Sequence, residues 1–348
     1  MKFSFIIPVY NGQKYIARCV RNIQKVDIND YEVILINDGS TDNSGSICAS
    51  LAKENRKIHC IHQNNQGVSV ARNNGLRAAK GDYVLFIDAD DTIESNKLNQ
   101  LLMIVEKTEG IDMAIFGISF DYYYNEKLYR QDELHTPLKG IESSKVWLQN
   151  MLNLYCANSL SPIWNKIFRR SFLIENQLYL REEMFLYEDL EYTIRCLTYC
   201  NDIFFEPEII YHYRQSEDEG NAGRRLLRID HLYNLVNQIE NALNKLIEIK
   251  GVKAEQEKIK SILVLLYLVL AREKIAVSNT RQIKQICDDY ADWYAKRHID
   301  IPLESREYAK LLLQRKVLKL IFMREYTRIR HMIAVKVKNT RIYQKLKG

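Results

Sequence analysis

Short apolar runs alternate with amphipathic segments along the first ninety residues. The apolar runs predict buried strands, and the segments with apolar residues at helical spacing predict helices between them. The predicted strands are Phe3–Val9, Tyr31–Asn37, Lys57–Ile61 and Tyr83–Ile87. The predicted helices are Gln13–Lys25, a segment that ends at Lys53, and Val68–Ala79. Regular alternation of strand and helix is typical of a doubly wound, mostly parallel sheet, so the sequence predicts an α/β fold.

Three of these strands run directly into segments that can bind a ligand. The segments are Pro8-Val9-Tyr10-Asn11, Asp38-Gly39-Ser40 and Asp88-Ala89-Asp90. In open α/β sheets, ligands bind beyond the carboxyl ends of the strands, so we expect these segments to meet at one site. In the second segment, Ser40 or Thr41 is placed to cap the helix that follows.

Three carboxylates lie within four residues at the end of Tyr83–Ile87, namely Asp88, Asp90 and Asp91. Residues two apart in an extended chain point the same way, so Asp88 and Asp90 can offer oxygens to one Mg²⁺ or Mn²⁺ ion. Such an ion keeps some of its positions for substrate phosphates. For an isolated D-x-D pattern we would favour the alternative, a solvated turn that caps a helix starting near Ser95.

Other residues of these segments suit the parts of a nucleotide-sugar. Tyr10 offers a flat surface for stacking on a base, and Asp38 can accept hydrogen bonds from a base or ribose. Gly67 and Arg72 lie where a helix opens, so free N–H groups and a guanidinium can meet a diphosphate. The alternatives are that Asp38 is a turn residue and Arg72 a surface charge. The P-loop and dinucleotide-binding fingerprints are absent from the sequence.

The order and spacing of these segments closely resemble the family 2 glycosyltransferases, over about residues 3–215. The matching segments are Phe5–Asn11, Ile34–Asp42, Gln66–Gly75 and Gly81–Asp91. The resemblance implies a GT-A fold, a nucleotide-diphosphate sugar donor such as a UDP-sugar, a divalent cation and inversion at the anomeric carbon. It also implies roles for particular residues. Pro8, Tyr10, Asn11 and Asp38 would hold the donor nucleoside, Asp88 the ribose or the metal, and Asp90 the metal that bridges the diphosphate.

The middle of the chain contains a segment that we expect to bind the acceptor. Ser161–Arg170 is similar to the W-N-K-[LI]-[YF]-[RK] segment of capsule and exopolysaccharide members of that family. The similarity implies that Trp164 stacks on an acceptor sugar, while Asn165 and Lys166 hydrogen-bond to hydroxyls or phosphate. The alternative is a packed tryptophan in an ordinary strand.

Glu188 and Asp189 open another predicted helix, with Leu190, Ile194 and Leu197 at helical spacing. Acids in a first turn favour the helix dipole, so capping is one interpretation. Inverting transfer needs a base on the acceptor hydroxyl, and the family carries an E-D pair at a helix start. By that resemblance we assign Asp189 the base and Glu188 an orienting role.

One segment departs from the family. Members commonly carry Y-R-x-[HR] after the next strand, whereas here Tyr213-Arg214-Gln215 is followed by Ser216. A cationic residue near the diphosphate is therefore missing at its usual place. Arg214, His212 and the Arg224-Arg225 pair are candidates to replace it, although a lone histidine in a strand is more often structural.

The second half of the chain has a helical pattern, with segments near Leu226–Ile249, Glu255–Val277, Thr280–His298 and Glu304–Lys347. We therefore predict a catalytic domain over residues 1–220 and a helical domain over residues 221–348. Residues 315–348 hold eleven Lys and Arg against one acid, Glu325, around an apolar stripe. Such a tail predicts contact with an anionic membrane surface, with packing on the domain as the alternative and nucleic acid well below both.

The composition indicates the cellular location of the protein. The chain has 348 residues, of which 47% are hydrophobic and 27% charged, which is ordinary for a soluble globular protein. Seven scattered cysteines indicate a reducing compartment, and no apolar run is long enough for a spanning helix or a signal peptide. We expect a cytoplasmic protein at the inner face of the cell membrane.

The function that these features predict is inverting transfer of a sugar to a hydroxyl of a glycan acceptor, on a lipid carrier, in surface polysaccharide biosynthesis. One alternative is a non-catalytic subunit that binds sugar nucleotides. The other is a sugar-phosphate nucleotidylyltransferase, which would need a Gly-rich, Arg-containing loop after the first strand. Pro8-Val9-Tyr10-Asn11-Gly12 is not such a loop.

Overall fold

The computed structural model describes residues 2–216, 229–297, 299, 301–302 and 305–323. These residues fall into two compact units. The first unit lies within Met1–Gly223 and Gln238–Ile259, and the second within Arg224–Asn237 and Lys260–Gly348. The predicted domain boundary at residue 220 lies outside the described residues, so that boundary remains a prediction.

The first unit is built on one mixed sheet. Its strands are β1 Phe3–Val9, β2 Tyr31–Asp38, β3 Ile58–Gln63, β4 Tyr83–Phe86, β5 Thr92–Ile93, β6 Met113–Tyr124, β7 Lys127–Leu134, β8 Gly140–Glu142, β9 Lys166–Arg169 and β10 Ile203–Ser216. Within the described residues the order is β3-β2-β1-β4-β9-β6-β10-β5, with β7 paired to β6 and β8 to β10. The predicted α/β fold is confirmed.

The four strands predicted from the apolar runs form the parallel half of this sheet. β1 pairs in parallel with β2 and β4, and β2 pairs in parallel with β3. The helices between them are α1 Ile16–Gln24, α2 Ser44–Glu54 and α3 Val68–Ala78. Because β1 and β2 are buried almost throughout, their sequences are nearly continuous apolar runs. The carboxyl ends of β1, β2 and β4 therefore lie at one edge.

The other half of the sheet is mixed. β9 pairs antiparallel with both β4 and β6, while β6 and β10 run parallel to each other. β5 pairs antiparallel with β10 at Tyr211 and His212. This pairing brings the end of β10 beside the turn that follows β4.

Gly75 lets α3 pack tightly on β1. A Cβ atom at this position would lie 2.3 Å from Cγ2 of Ile6, closer than real Cβ contacts allow. The glycine therefore permits a close approach of helix and strand, and this approach fixes the neighbouring Arg72 and Asn73. Asn73 in turn fixes the chain at Leu180, since it donates to the carbonyl of Leu180 at 2.9 Å and accepts from the N–H of Leu180 at 2.8 Å.

The remaining helices lie in the middle and the second half of the chain. They are α4 Ser95–Lys107, α5 Ser144–Gln149, α6 Met151–Cys156, α7 Arg170–Glu175, α8 Glu188–Tyr199, α9 Ile229–Lys250, α10 Gln256–Val277, α11 Thr280–Ala295 and α12 Arg306–Leu313. The helical character predicted for the second half is confirmed. Over the described part of the chain, none of these helices combines the length and the apolar character needed to cross a membrane.

The single helix predicted over Glu304–Lys347 is wrong in its described part. α12 ends at Leu313, and Arg315 adopts a left-handed conformation with φ of 50°. The N–H groups of Arg315 and Lys316 donate to the carbonyls of Leu312 and Leu311, which closes the helix end. The chain is helical again over residues 317–323, and residues 324–348 of the predicted tail lie outside the described residues.

Candidate active site

The loops after β1 and β2 are joined by Asn11. Its N–H donates to Oγ of Ser40 at 3.1 Å, and its Oδ1 accepts from the N–H of Thr41 at 2.9 Å. The prediction that Ser40 or Thr41 caps the next helix is wrong, because Oδ1 of Asp42 accepts from Ser44 N–H at 2.9 Å instead. Asn11 thus organises two loops at the predicted donor edge.

Tyr10 lies between Pro8 and this junction, and its side chain is 53% exposed. An exposed ring at the carboxyl end of a central strand can stack on a nucleoside base. The structure does not test the predicted donor roles of Pro8, Tyr10 and Asn11, which remain predictions.

Asp38 is buried at the end of β2 and accepts three hydrogen bonds. Oδ1 accepts from Nε2 of Gln63 and from the N–H of Gln66, both at 2.8 Å, and Oδ2 accepts from the N–H of Gly67 at 2.9 Å. Gly67 has φ of 93°, which favours glycine. Two N–H groups that we expected to face a diphosphate are therefore bound to Asp38. Its carboxylate fixes the β3–α3 loop and keeps lone pairs for a ribose or base.

Arg72 joins two predicted functional acids. Its Nη2 donates to Oδ1 of Asp88 and its Nη1 to Oδ1 of Asp189, both at 2.8 Å. Only 3% of Arg72 is exposed, so the interpretation as a surface charge is wrong. Burial lowers the pKa of Arg72, but the charges of Asp189 and Asp88 outweigh it, so the net pKa is raised. The side chain remains a cation between Asp88 and Asp189.

The turn after β4 is fixed by buried hydrogen bonds. Oδ2 of Asp91 accepts from the hydroxyl of Tyr211 and Oδ1 from the N–H of Arg214, both at 2.7 Å. The same hydroxyl accepts from the N–H of Asp88 at 3.0 Å. Burial, followed by the charges of Asp90 and Asp88, raises the pKa of Asp91 well above its usual value. A solvated turn is therefore the wrong interpretation for Asp91.

Arg18 is a site residue that the sequence did not reveal. Its Nη2 donates to the backbone carbonyl of Asp90 at 2.8 Å. Sγ of the adjacent Cys19 lies 3.8 Å from the carbonyl of Asp88. α1 therefore holds the backbone of the turn that carries both predicted metal ligands.

The residues present fit a hard divalent cation that is shared with a diphosphate. Among the described residues, no group of three or more His, Cys, Asp and Glu side chains is arranged to hold a metal alone. Asp88 and Asp90 supply carboxylate oxygens, which suit Mg²⁺ or Mn²⁺, and such ions readily complete their shell with phosphate and water. Asp91 is not suited to this task because both its oxygens already accept hydrogen bonds.

Glu188 and Asp189 begin α8 after Tyr187, which has φ of 55°. The N-cap residue Tyr187 makes no side-chain hydrogen bond, and Glu188 and Asp189 lie in the first turn, where acids favour the helix dipole. Oδ2 of Asp189 accepts from the N–H of Ile163 at 3.3 Å. Burial raises the pKa of Asp189, and Arg72 opposes that shift. Burial, followed by the charge of Asp189, raises the pKa of Glu188 to about 7.

Glu188→Gln is expected to stabilise the protein at pH 8 but hardly at pH 4. The unfolded pKa is 4.5 and the folded value about 7, so the folded state binds more protons in this window and loses stability as pH rises through it. Glutamine removes that penalty, which we expect to be about 1 to 3 kcal/mol above pH 7. Urea unfolding at both pH values measures the difference in the free energy of unfolding between the variant and wild type. Glu183→Gln, at an exposed glutamate, is the control, and equal changes for Glu188→Gln at both pH values would contradict the assignment.

The predicted acceptor residues Trp164, Asn165 and Lys166 are interior residues. Trp164 is 6% exposed and stacks on Tyr211 and Tyr213, with ring centroids 4.3 and 5.2 Å away. Nδ2 of Asn165 donates to the carbonyl of Phe116 at 3.1 Å, and Lys166 has no exposed surface. We correct the prediction that Asn165 and Lys166 bind an acceptor directly, because their polar groups are bound within the protein. The alternative of a packed tryptophan is the one that the structure supports.

Phe185 is a second residue that the sequence did not reveal. Its side chain is 76% exposed, and it lies three residues before Glu188. Since consecutive Cα atoms are about 3.8 Å apart, the Cα atoms of Phe185 and Glu188 are within about 11 Å. An exposed aromatic ring beside the acid pair offers a surface to an acceptor sugar.

The candidates for the missing cation are bound to other groups or lie outside the described residues. The guanidinium of Arg214 lies over the rings of Tyr15 and Tyr123, at 5.0 and 4.0 Å. Nδ1 of His212 lies 3.1 Å from Oδ2 of Asp121, and this hydrogen bond raises the pKa of His212. The Arg224-Arg225 pair lies outside the described residues.

The parallel sheet edge and the two groups of acids form one candidate site on a GT-A fold. A model described as Glycosyl transferase family 2 matches residues 4–176. EpsH of Bacillus subtilis strain 168, a putative glycosyltransferase, is 30% identical over 215 residues, which cover 61% of this chain and 60% of EpsH. The chain belongs to the family 2 glycosyltransferases.

Staphylococcus aureus TarS supports the same fold. It is named a poly(ribitol-phosphate) beta-N-acetylglucosaminyltransferase and is 26% identical over 251 residues, which cover 69% of this chain and 40% of TarS. The crystal structure of TarS 1–349 with UDP-GlcNAc has a TM-score of 0.69 at 19% identity, and the match covers 94% of this chain and 92% of that one. The matched regions thus span about 60% of EpsH and less of full-length TarS.

Proposed function

We propose that the protein is an inverting glycosyltransferase. It transfers a sugar from a UDP-sugar to a hydroxyl of a glycan acceptor, carried on a lipid, in the synthesis of a surface polysaccharide. The observation that carries this proposal is the Arg72 bridge, because it holds a donor-side acid, Asp88, and a candidate base, Asp189, beside each other. The solved complexes of TarS with UDP and UDP-GlcNAc support a UDP-sugar as donor.

On the donor side, Tyr10 stacks on the base and Asp38 accepts hydrogen bonds from the nucleoside. Asp88 and Asp90 would hold a Mg²⁺ or Mn²⁺ ion, and such an ion would supply positive charge that neutralises the diphosphate leaving group. Arg72 and Arg18 keep the side chain of Asp88 and the backbone of Asp90 in place. The donor is thereby fixed at the carboxyl edge of β1, β2 and β4.

On the acceptor side, Asp189 removes the proton from the attacking hydroxyl. The acceptor oxygen forms a bond to the anomeric carbon from one face as the bond to the diphosphate breaks on the other, and the nucleoside diphosphate leaves with the electron pair. The proton passes to the carboxylate of Asp189, each oxygen of which keeps a lone pair beside its present hydrogen bond. Glu188 orients the hydroxyl, and Phe185 packs against the acceptor sugar.

A non-catalytic sugar-nucleotide-binding subunit is the second candidate. One observation favours it, because both oxygens of Asp189 already accept hydrogen bonds, from Arg72 and Ile163, as a purely structural acid would. Both candidates bind a nucleotide-sugar, so binding alone does not separate them. Only the enzyme releases the nucleoside diphosphate.

The proposed donor is tested by incubating the protein with a panel of UDP-, GDP- and dTDP-sugars and Mn²⁺ or Mg²⁺. Slow hydrolysis of one donor, seen as release of the nucleoside diphosphate, is the expected result. A sugar-phosphate nucleotidylyltransferase would instead release pyrophosphate from a nucleoside triphosphate and a sugar phosphate. That product, with no nucleoside diphosphate from any sugar donor, would contradict the proposal.

We also propose a cytoplasmic location at the inner face of the membrane, through the basic tail. Leu318 and Phe322 are 82% and 69% exposed and lie four residues apart in the helical stretch 317–323. Eight Lys and Arg residues follow in 324–348. Apolar side chains next to clustered basic residues suit an anionic lipid surface.

Deleting residues 324–348 is expected to abolish pelleting with anionic vesicles, because each basic residue near such a surface contributes about 1 kcal/mol of attraction. The cut keeps Leu320, which is buried, and the Arg315–Asp288 ion pair, so the second unit retains its packing. Sedimentation with phosphatidylserine vesicles measures the change. A truncated protein that still pellets, with donor binding unchanged, would refute the membrane role of the tail.

A further inference from the structure

Lys166 is a fully buried lysine at the start of β9. Its Nζ donates to the carbonyls of Ser159 at 2.9 Å and Leu160 at 3.4 Å, to the carbonyl of Pro162, and to Oδ1 of Asn165 at 2.7 Å. A buried ammonium is costly unless such acceptors surround it. The chain over residues 159–162 is therefore folded around the amino group of Lys166, whose pKa is lowered to about 7 by burial.

The next residue of this segment contacts the proposed base. The N–H of Ile163 donates to Oδ2 of Asp189 at 3.3 Å, opposite the bond that Arg72 makes to Oδ1. These two donors set the orientation of the carboxylate. The charges also interact, since Asp189 raises the pKa of Lys166 against the larger effect of burial, and Lys166 lowers the pKa of Asp189.

The same segment supports the donor side through Trp164. Its ring stacks on Tyr211, whose hydroxyl bonds both Oδ2 of Asp91 and the N–H of Asp88. A shift of the segment would therefore disturb the base directly and the metal-binding turn through one intermediate residue.

We propose that Lys166 is a positioning residue, whose amino group holds Ser159–Ile163 in the conformation that presents the Ile163 N–H to Asp189. The inference rests on the proposed function and deepens it, because it gives the W-N-K segment a role in orienting the base. A lysine that only stabilises the core would affect folding and leave the chemical step unchanged.

The first test compares Lys166→Met with Arg169→Met. Both residues lie on β9, where side chains three positions apart point to opposite faces. Arg169 pairs with buried Asp112 and, within the described part of the chain, has no contact with Asp189 among its hydrogen bonds and ion pairs, so its loss perturbs the same strand. We expect Lys166→Met to lower kcat by at least about tenfold while the donor KM changes by less than about threefold. Arg169→Met is expected to keep kcat within about threefold of wild type. An equal loss of kcat in Arg169→Met would overturn the proposal.

A double-mutant cycle shows whether Lys166 acts through Asp189. In an Asp189→Asn background, Lys166→Met should cost less than about a further twofold in kcat, because the group that it positions is already gone. The same fold loss in both backgrounds would overturn the proposal.

Hydrogen exchange supplies a readout that does not need turnover. The amides of Ser159 and Ile163, which donate to the carbonyl of Leu154 and to Asp189, are expected to exchange at least about tenfold faster in Lys166→Met than in wild type, and at the wild-type rate in Arg169→Met. If Lys166→Met does not fold, Lys166→Gln, which keeps two N–H donors without the charge, is measured instead. Unchanged exchange in the folded variant would overturn the role of Lys166, whereas absence of nucleoside diphosphate release by wild type would refute only the proposed function.

Discussion

Asp189→Asn is expected to lower kcat for sugar transfer by about 10²- to 10⁴-fold, the contribution of a positioned general base. Asparagine keeps the size of the side chain and can still accept a hydrogen bond from Arg72, but it cannot take the proton of an acceptor hydroxyl. Arg72 also retains its bond to Asp88, so the donor side stays in place. Donor affinity should therefore remain near that of wild type, which separates loss of chemistry from loss of binding.

Initial rates of transfer and donor binding by calorimetry, both for wild type and Asp189→Asn, measure these two quantities. Thermal unfolding shows whether the variant is folded. This control is needed because asparagine has only one side-chain oxygen, so the Ile163 N–H can lose its acceptor. Loss of a general base should lower kcat by more than about tenfold. If Asp189→Asn keeps more than about a tenth of wild-type kcat, the role of base passes to Glu188 or another acid.

Asp90→Ala is expected to abolish metal-dependent donor binding and to lower turnover by at least about 100-fold. The variant leaves the diphosphate charge poorly neutralised, and a bound cation supplies several kcal/mol of stabilisation to such a leaving group. Arg18 holds the backbone carbonyl of Asp90, so the turn should survive the loss of the side chain. Titration with UDP-sugar in Mn²⁺ and in excess chelator measures the effect.

Asp91→Asn is the matched control, because it changes the neighbouring acid of the same turn. Asparagine has nearly the same shape as the buried Asp91 side chain and keeps one oxygen that can accept a hydrogen bond from the Arg214 N–H or the Tyr211 hydroxyl. This variant should keep metal-dependent donor binding. Full turnover of wild type in excess chelator, or an equal loss of metal dependence in Asp91→Asn, would contradict the assignment of Asp90 as a metal ligand.

The parallel half of the sheet was predictable because its central strands β1 and β2 are buried on both faces. β1 begins and ends where its apolar run does, at Phe3 and Val9, and β2 extends only one residue past the predicted Asn37. Segments that follow parallel strands share one sheet edge, so the sequence also predicted that the segments after β1, β2 and β4 lie at the same edge. The antiparallel insertion of β9 between β4 and β6 was not predictable, since only tertiary pairing decides where a four-residue strand inserts.

The contacts between charged side chains could not be predicted from the sequence, for a similar reason. Arg72 and Asp189 are 117 positions apart, and nothing local to either residue specifies a contact. Lys166 looks like a surface lysine next to a polar Asn165, yet carbonyls brought together by a turn of the chain remove it from solvent. Arg18 gives no local signal because its partner is a backbone carbonyl of Asp90. The sequence therefore predicted which segments meet, but it could not predict which side chains face a substrate.

The most direct test of the central claim is the stoichiometry of transfer with purified protein, the donor found in the panel and a lipid-linked glycan acceptor. Nucleoside diphosphate is measured by coupled assay, and sugar incorporated into the acceptor is measured by mass spectrometry. An inverting glycosyltransferase releases one nucleoside diphosphate for each sugar transferred, and wild type is expected to give this ratio while Asp189→Asn binds the donor and releases almost none. Donor binding by wild type without release of nucleoside diphosphate, with every acceptor supplied, would contradict the account and favour a non-catalytic binding subunit.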